Sequence, residues 1–160
     1  MKPLSFQSFR PSSRRASLAA RGSSKKAGTR CELLLRQALW TRGCRYRKNV
    51  KDLPGCPDLV FPAARVALFC DGDFWHGREW NARRQKLALG HNSTYWLAKI
   101  RRNIERDWQN TQRLLDQGWT VLHIWESEIR ADPERVAGDV LAILRGKASS
   151  IPVDPHLLLT

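Results

Sequence analysis

The sequence has no apolar run approaching the ~18 residues that span a bilayer, so a membrane helix is excluded and a soluble protein is expected. It has no secretory signal core and no internal repeat. Its four cysteines, at 31, 44, 56 and 70, form no C-x-x-C pair and have no close histidine neighbour. That argues against a thiolate zinc site and for reduced thiols, hence a cytoplasmic, nucleoid-associated protein without a membrane partner. Acidic residues are scarce too, and residues 1–30 contain none.

What replaces the missing acids is arginine and lysine. Lys plus Arg number 28 against 15 Asp plus Glu, a net charge of +13. Such an excess speaks of polyanionic partners, nucleic acid above all, rather than of fold. Eight of the basic groups lie in residues 1–30, and from Arg36 to Arg113 sixteen basic residues face seven acids. The tail and the remaining chain are therefore both cationic.

A chain of 160 residues suits one compact domain with extensions. With glycine counted and tyrosine left out, the apolar share is about 47%, inside the ~45–50% of globular chains. Three segments follow. Residues 1–28, rich in Ser, Arg and Ala without an apolar period, read as a disordered basic arm; a nucleic-acid arm, a transit peptide and a solubilising tail all fit that composition. Residues 29–146 carry the periodic elements, and 147–160 form a C-terminal tail.

Within the domain, Leu34, Leu35, Ala38 and Leu39 recur at helical spacing behind a Thr29/Glu32 capping box, and Gly43 ends that helix. Cys44 to Val50 reads as a strand. Leu59–Phe61 and Val66–Phe69 form a hairpin about Pro62-Ala63-Ala64-Arg65. Residues 72–92 show no clear period. A long helix runs from Asn92 or Ser93 to Gln117 with Gly118 as its stop; Val121–Trp125 is a buried strand, and Asp132-Pro133 opens a final helix. The order α-β-β-β-α-β-α describes an α/β fold with a mixed sheet flanked by helices.

Counting outward from the hairpin turn sets Asp58 opposite Phe69 to Asp71. Two carboxylates meet at the open end of an apolar hairpin, and neither has an evident cationic partner in the sequence. A shared hard cation such as Mg²⁺, content with one or two carboxylates, resolves the conflict. Ordinary turn duty for both residues is the alternative. Beyond them lies Asp71-Gly72-Asp73-Phe74-Trp75-His76-Gly77. Adjacent aromatics in a charged loop of a basic protein suit stacking on bases, or else stapling of the loop to the core. His76 is the best-placed titratable group to take a proton from water, though a solitary histidine also commonly serves structure.

Leu53-Pro54-Gly55-Cys56-Pro57-Asp58-Leu59-Val60, Phe69-Cys70-Asp71-Gly72-Asp73-Phe74-Trp75-His76, Tyr95-Trp96-Leu97-Ala98-Lys99-Ile100 with Asn103-Ile104-Glu105-Arg106-Asp107, and Gly118-Trp119-Thr120-Val121 with Trp125-Glu126 occur in this order. Together they resemble the very-short-patch repair (Vsr) endonuclease family across roughly residues 28–145. The resemblance implies a restriction-endonuclease-like PD-(D/E)xK core. It also implies an enzyme that nicks DNA 5′ of the mismatched thymine in a T:G pair. By position it makes Asp58 the metal-binding aspartate, His76 the general base, and Glu32 an acidic residue supporting the site. Cys70 falls where the metal is reached through a backbone carbonyl. Phe74 and Trp75 match an aromatic wedge, Trp96 a further intercalating ring, and the basic arm a segment that embraces the duplex. The bland duties of Glu32 and Trp96 are helix capping and core packing.

The sequence departs from this pattern in two places. Family members carry a structural zinc on Cys and His, where this chain has Asp73, Arg78, Trp80 and Ser127; zinc is expected to be absent, with Trp80 and hydrogen bonds bracing the loop. Asp71 replaces a histidine, which moves the site toward a two-carboxylate nuclease. The resulting expectation is a monomeric, Mg²⁺-dependent DNA endonuclease of mismatch repair acting on double-stranded DNA, with accessory repair proteins as possible partners. Its metal would sit on Asp58, the Cys70 carbonyl and Asp71. Arg47, Lys48, Arg101 and Arg102 would contact phosphates. The alternatives are a nuclease of the same fold acting on unmismatched DNA, as in restriction or mobile elements, and a non-catalytic DNA-binding protein.

Overall fold

A computed structural model describes residues 28–146 of the chain. The arm read over residues 1–28, save its last residue, and the tail 147–160 lie outside the described residues. The elements are α1 (Arg30–Thr41), β1 (Arg47–Lys48), β2 (Leu59–Phe61), β3 (Val66–Asp71), α2 (Trp80–Ala88), α3 (Ser93–Asp116), β4 (Thr120–Trp125), α4 (Glu126–Ala131) and α5 (Pro133–Leu144). The four strands lie in the order β1-β2-β3-β4. The first two pairings are antiparallel, and β3 runs parallel to β4 after a crossover through α2 and α3. This is the mixed α/β sheet expected of a restriction-endonuclease-like fold.

Side chains alternate across the sheet. Leu59, Phe61, Val66, Leu68 and Leu122 join Leu35 and Leu39 of α1, Ile129 of α4 and Val136 and Val140 of α5 in the main core. Leu35, Leu39, Leu59 and Leu68 are wholly buried, each worth about 1.5–3 kcal/mol relative to exposure. The opposite face carries Phe69, Asp71 and His123, and there α3 packs. A smaller apolar cluster of Trp80, Ile100 and Ile104 joins α2 to α3, with Phe74, Leu87 and Leu97 against it. None of the described helices is long and apolar enough to cross a membrane.

Local signals act as read. Thr29 accepts from the Glu32 amide at the start of α1, Gly43 follows its end at φ +79°, and Asp132 caps α5 with Pro133 in its first turn. Four expectations differ. The strand read as buried over Val121–Trp125 spans Thr120–Trp125 with only Leu122 buried, because it lies at the edge of the sheet. The strand read over Cys44–Val50 contracts to Arg47–Lys48, an exposed edge. Residues 72–92 contain α2, which starts at Glu79 in the left-handed conformation without a side-chain cap and buries only Trp80; it offers neither a cap nor an apolar stripe to read. The six-residue α4 is too short for a period.

Gly77 ties the loop after β3 to α3. It sits at φ +75°, and a Cβ there would lie 2.4 Å from Ile104 Cδ1. Gly77→Ala combines a left-handed strain with overpacking, so urea denaturation should show a loss of about 2–4 kcal/mol; an unchanged midpoint would contradict the packing described.

Candidate active site

Asp58 precedes β2 and Asp71 ends β3, so the antiparallel hairpin brings both to one end of the sheet. The register pairs Leu59 with Leu68, which aligns Asp58 with Phe69, and Asp58 Oδ2 accepts the Cys70 amide at 2.7 Å. Burial pushes the Asp58 carboxyl up to about 7; the Cys70 amide opposes this, the charges of Glu32 and Asp71 add to it, and His76 opposes it weakly. Asp58 thus holds a proton near neutrality unless a cation compensates it.

Asp71 lies in a different environment. Parallel pairing sets Phe69 beside His123 and Asp71 beside Trp125. The His123 ring stacks on Phe69 at 4.9 Å, and its Nδ1 lies 2.6 Å from Asp71 Oδ2. The other oxygen is 3.6 Å from His76 Nδ1. Burial would raise the Asp71 carboxyl, but the His123 charge and hydrogen bond, then His76 and Arg106, outweigh it and hold it below the ordinary carboxylate range. The reading that neither aspartate has a cationic partner is therefore corrected for Asp71: its partners come from β4 and from the loop beyond β3, both remote from the hairpin.

His76 is gripped by α3. Its Nδ1 lies 2.6 Å from Asp107 Oδ2. Burial alone would lower the imidazole; the Asp107 hydrogen bond and the charges of Asp71 and Asp107 outweigh it and raise it. Asn103, Asp107 and Thr111 recur every four residues and make one polar stripe on α3. Asn103 donates to the Trp75 carbonyl at 3.1 Å, Asp107 holds His76, and Thr111 Oγ1 lies 2.9 Å from His123 Nε2. Asp58, Cys70, Asp71, His76, Arg106 and Asp107 are among the walls of one cavity of about 410 Å³. Three of the groups in this arrangement, Asp107, Thr111 and His123, were not singled out from sequence; the i, i+4 stripe on an otherwise apolar helix face is the signal that would have found two of them.

The other expected residues fall around this cavity. Glu32 is buried on α1, and its carboxylate accepts from the Gly28 amide at 2.8 Å and from Thr29 Oγ1 at 2.9 Å. It does the work of a capping box while its charge reaches Asp58. Phe74, Trp75 and Trp96 form one half-buried aromatic cluster, with ring centroids 5.0 Å apart for Phe74–Trp75 and 5.9 Å for Trp75–Trp96. Lys99 Nζ stands 4.8 Å from the Trp75 ring. The loop carrying these rings is fastened at its base. Asp73 pairs with Arg78 at 2.9 Å and accepts from Ser127 Oγ at 2.7 Å, Arg78 also bonds Ser127, and Trp80 is packed beneath. Lys48 pairs with Leu59, next to Asp58, with Arg47 beside it. Arg101 and Arg102 are exposed on α3.

Among the described residues no group of three or more His, Cys, Asp or Glu side chains is arranged to hold a metal ion. A cage of side chains is thus not on offer. A hard cation that keeps most of its waters needs less, and the partly buried Asp58 carboxylate, which has no cationic side chain bonded to it, is a donor of that kind.

These features sit beside clear sequence relationships. Residues 7–82 match the family profile described as DNA mismatch endonuclease Vsr. The chain is 38% identical over 120 residues to Type II nicking enzyme V.HpaIIP of Haemophilus parainfluenzae, an alignment covering 75% of this chain and 84% of that one. It is 42% identical over 125 residues to Type II nicking enzyme V.NmeDIP of Neisseria meningitidis serogroup C, covering 78% and 83%. Identity to the DNA mismatch endonuclease Vsr of Escherichia coli K12 is 34% over 102 residues, 64% of each chain. Fold, cavity and relatives define an endodeoxyribonuclease, a hydrolase whose substrate is DNA. The chain belongs to the Vsr endonuclease family.

The Asp58 environment makes a prediction that needs no substrate. Its folded carboxyl binds protons more tightly than the ordinary 3.8 of an unfolded chain, so the charge costs stability progressively as pH rises from about 4 through 7. In chelator, Asp58→Asn should stabilise the protein by roughly 1–3 kcal/mol at pH 8 and by almost nothing near pH 4. Thermal melts at the two pH values check this; a variant less stable at pH 8 would refute it.

Proposed function

We propose that this endonuclease nicks one strand of duplex DNA 5′ of the mismatched thymine in a T:G pair. In this reading it acts as a monomer in mismatch repair, before accessory repair proteins. The observation that supports it best is the pairing, across one cavity, of a carboxyl that needs a cation with an imidazole held by a carboxylate. Asp58 and the Cys70 carbonyl would hold Mg²⁺, which when bound stabilises negative charge building on the scissile phosphate. Asp71 is a further candidate ligand, although one of its oxygens is taken by His123.

His76 takes the proton of the attacking water. Asp107 fixes the ring through Nδ1 and favours its protonated form, as a general base requires once the proton has moved. Glu32 supports Asp58 electrostatically from α1. Arg47, Lys48, Arg101 and Arg102 meet phosphates and position the duplex without reading sequence. Phe74, Trp75 and Trp96 enter the base stack. Each stacked base returns ~1–3 kcal/mol, and unstacking costs least at a mispair. Deformability would then discriminate a T:G site from paired DNA.

One gel series tests this. Wild type, Asp58→Ala and His76→Ala are incubated with T:G-mispaired or fully paired duplexes, with Mg²⁺ or with EDTA. Wild type should nick only the T-bearing strand of the mispaired duplex and only with Mg²⁺; Asp58→Ala should bind but not cut, and His76→Ala should cut about 10²–10⁴-fold more slowly. Equal nicking of paired DNA would reject the mismatch role, and cutting in EDTA or by Asp58→Ala would reject the metal assignment.

A further inference from the structure

Five contacts around His76 close into a ring. His76 Nδ1 meets Asp107 Oδ2 at 2.6 Å. The Asp107 carbonyl accepts the Thr111 hydroxyl at 2.9 Å. Thr111 Oγ1, its proton directed at that carbonyl, faces His123 Nε2 at 2.9 Å. His123 Nδ1 faces Asp71 Oδ2 at 2.6 Å, and Asp71 Oδ1 returns to His76 Nδ1 at 3.6 Å. Both nitrogens of His123 therefore face oxygen acceptors, and its ring plane is set by Phe69, stacked at 9°. His123 and Asp71 are each about nine-tenths buried in their side chains.

A histidine that merely filled space between β4 and α3 would not require a buried carboxylate, which is costly to hold in the interior unless it is paired. The Asp71 oxygen tied at 2.6 Å to a ring fixed by Thr111 and Phe69 is not free to swing onto a metal. The pair makes sense as a fixture: Thr111 and Phe69 fix His123, His123 fixes Asp71, and Asp71 turns its other oxygen toward His76 Nδ1, the nitrogen that Asp107 also meets.

We infer that His123 is a positioning residue for the nicking reaction, holding Asp71 as a second carboxylate brace on His76 rather than as a ligand of the metal. The inference rests on the proposed role of His76 as the base. It adds to that role by assigning His123 and Thr111, and it separates Asp71 from Asp58 in function.

The test uses the full chain and whichever duplex wild type nicks best, so it stands whether or not a mismatch is required. His123→Ala and Asp71→Asn should each lower kcat about 10–100-fold with KM for DNA within twofold, and the double variant should be no slower than Asp71→Asn alone. His123→Asn, whose amide nitrogen takes the place of Nδ1, should recover most of the rate, whereas His123→Gln, which mimics Nε2, should not. Calorimetric titration of the DNA-free protein with Mg²⁺ provides a readout independent of activity. His123→Ala and Asp71→Asn should keep the wild-type affinity within twofold, while Asp58→Asn loses it. Weakened Mg²⁺ binding in Asp71→Asn comparable to that in Asp58→Asn would overturn the inference, as would a kcat within twofold of wild type in both His123→Ala and Asp71→Asn. If His123→Ala fails to fold, the isosteric Asp71→Asn and the His123→Asn and His123→Gln pair still decide it. Loss of rate in His123→Asn equal to that in His123→Gln refutes it. A His76→Ala enzyme that nicks normally would instead remove the underlying reading.

Discussion

Two carboxylates enter the interior at one end of the β2–β3 hairpin, and the interior tolerates neither without compensation. Much of the site follows from how each is answered. Asp71 is answered within the protein, by His123 from the neighbouring parallel strand and by His76 from the loop. Asp58 is answered by a single backbone amide, and its carboxyl consequently stays near 7. Two residues of the same type, set by one turn at the same sheet end, thus have opposite electrostatic characters. This divergence is what the proposed roles rest on: a cation would relieve Asp58 more than Asp71, whose charge the two histidines already answer.

The second constraint is that the residues after β3 form a loop, not a strand or a core helix, yet must place His76 with hydrogen-bond accuracy. Three independent fastenings achieve this. Asn103 and Asp107 hold the Trp75 carbonyl and the His76 ring. Gly77 lets the backbone press against Ile104. Asp73, Arg78 and Ser127 clamp the loop to the start of α4. The first two originate in α3, so that helix is both the cover of one sheet face and the frame for the His76 imidazole. Its 24 residues are long enough to do both, with Ile100, Ile104 and Leu114 packed and the polar stripe bonded to Trp75, His76 and His123.

Much of this was legible in the sequence, because local rules governed it. Capping at Thr29 and Asp132, the stop at Gly43, the four-residue hairpin turn and the long amphipathic α3 are all written in short stretches of chain. The counting that set Asp58 opposite Phe69 to Asp71 agrees with the register, and the order of elements led to the right fold. What was not legible depends on distance along the chain. His123 meets Asp71 across 52 residues and only because β3 and β4 pair in parallel, a register that no turn specifies. Asp107 lay inside a motif already recognised, but its role emerges only when its i, i+4 neighbours Asn103 and Thr111 are read as one face. The helix α2 leaves no signal of this kind, because it begins without a side-chain cap and buries only Trp80.

The aromatic cluster shows why neither reading of Phe74 and Trp75 suffices alone. Phe74 packs on the small core of Trp80, Ile100 and Ile104, which is the stapling duty. Trp75 and Trp96 stay half-buried beside it, in contact with each other and with the Lys99 ammonium. A cation near an aromatic face is worth about 0.5–1 kcal/mol at exposed sites, less than a stacked base returns. On those magnitudes a base stacked on Trp75 would outweigh the cation it displaced, which is the sense of the stacking role proposed above. Phe74 thus ties the loop to the core, while Trp75 and Trp96 remain partly exposed beside it.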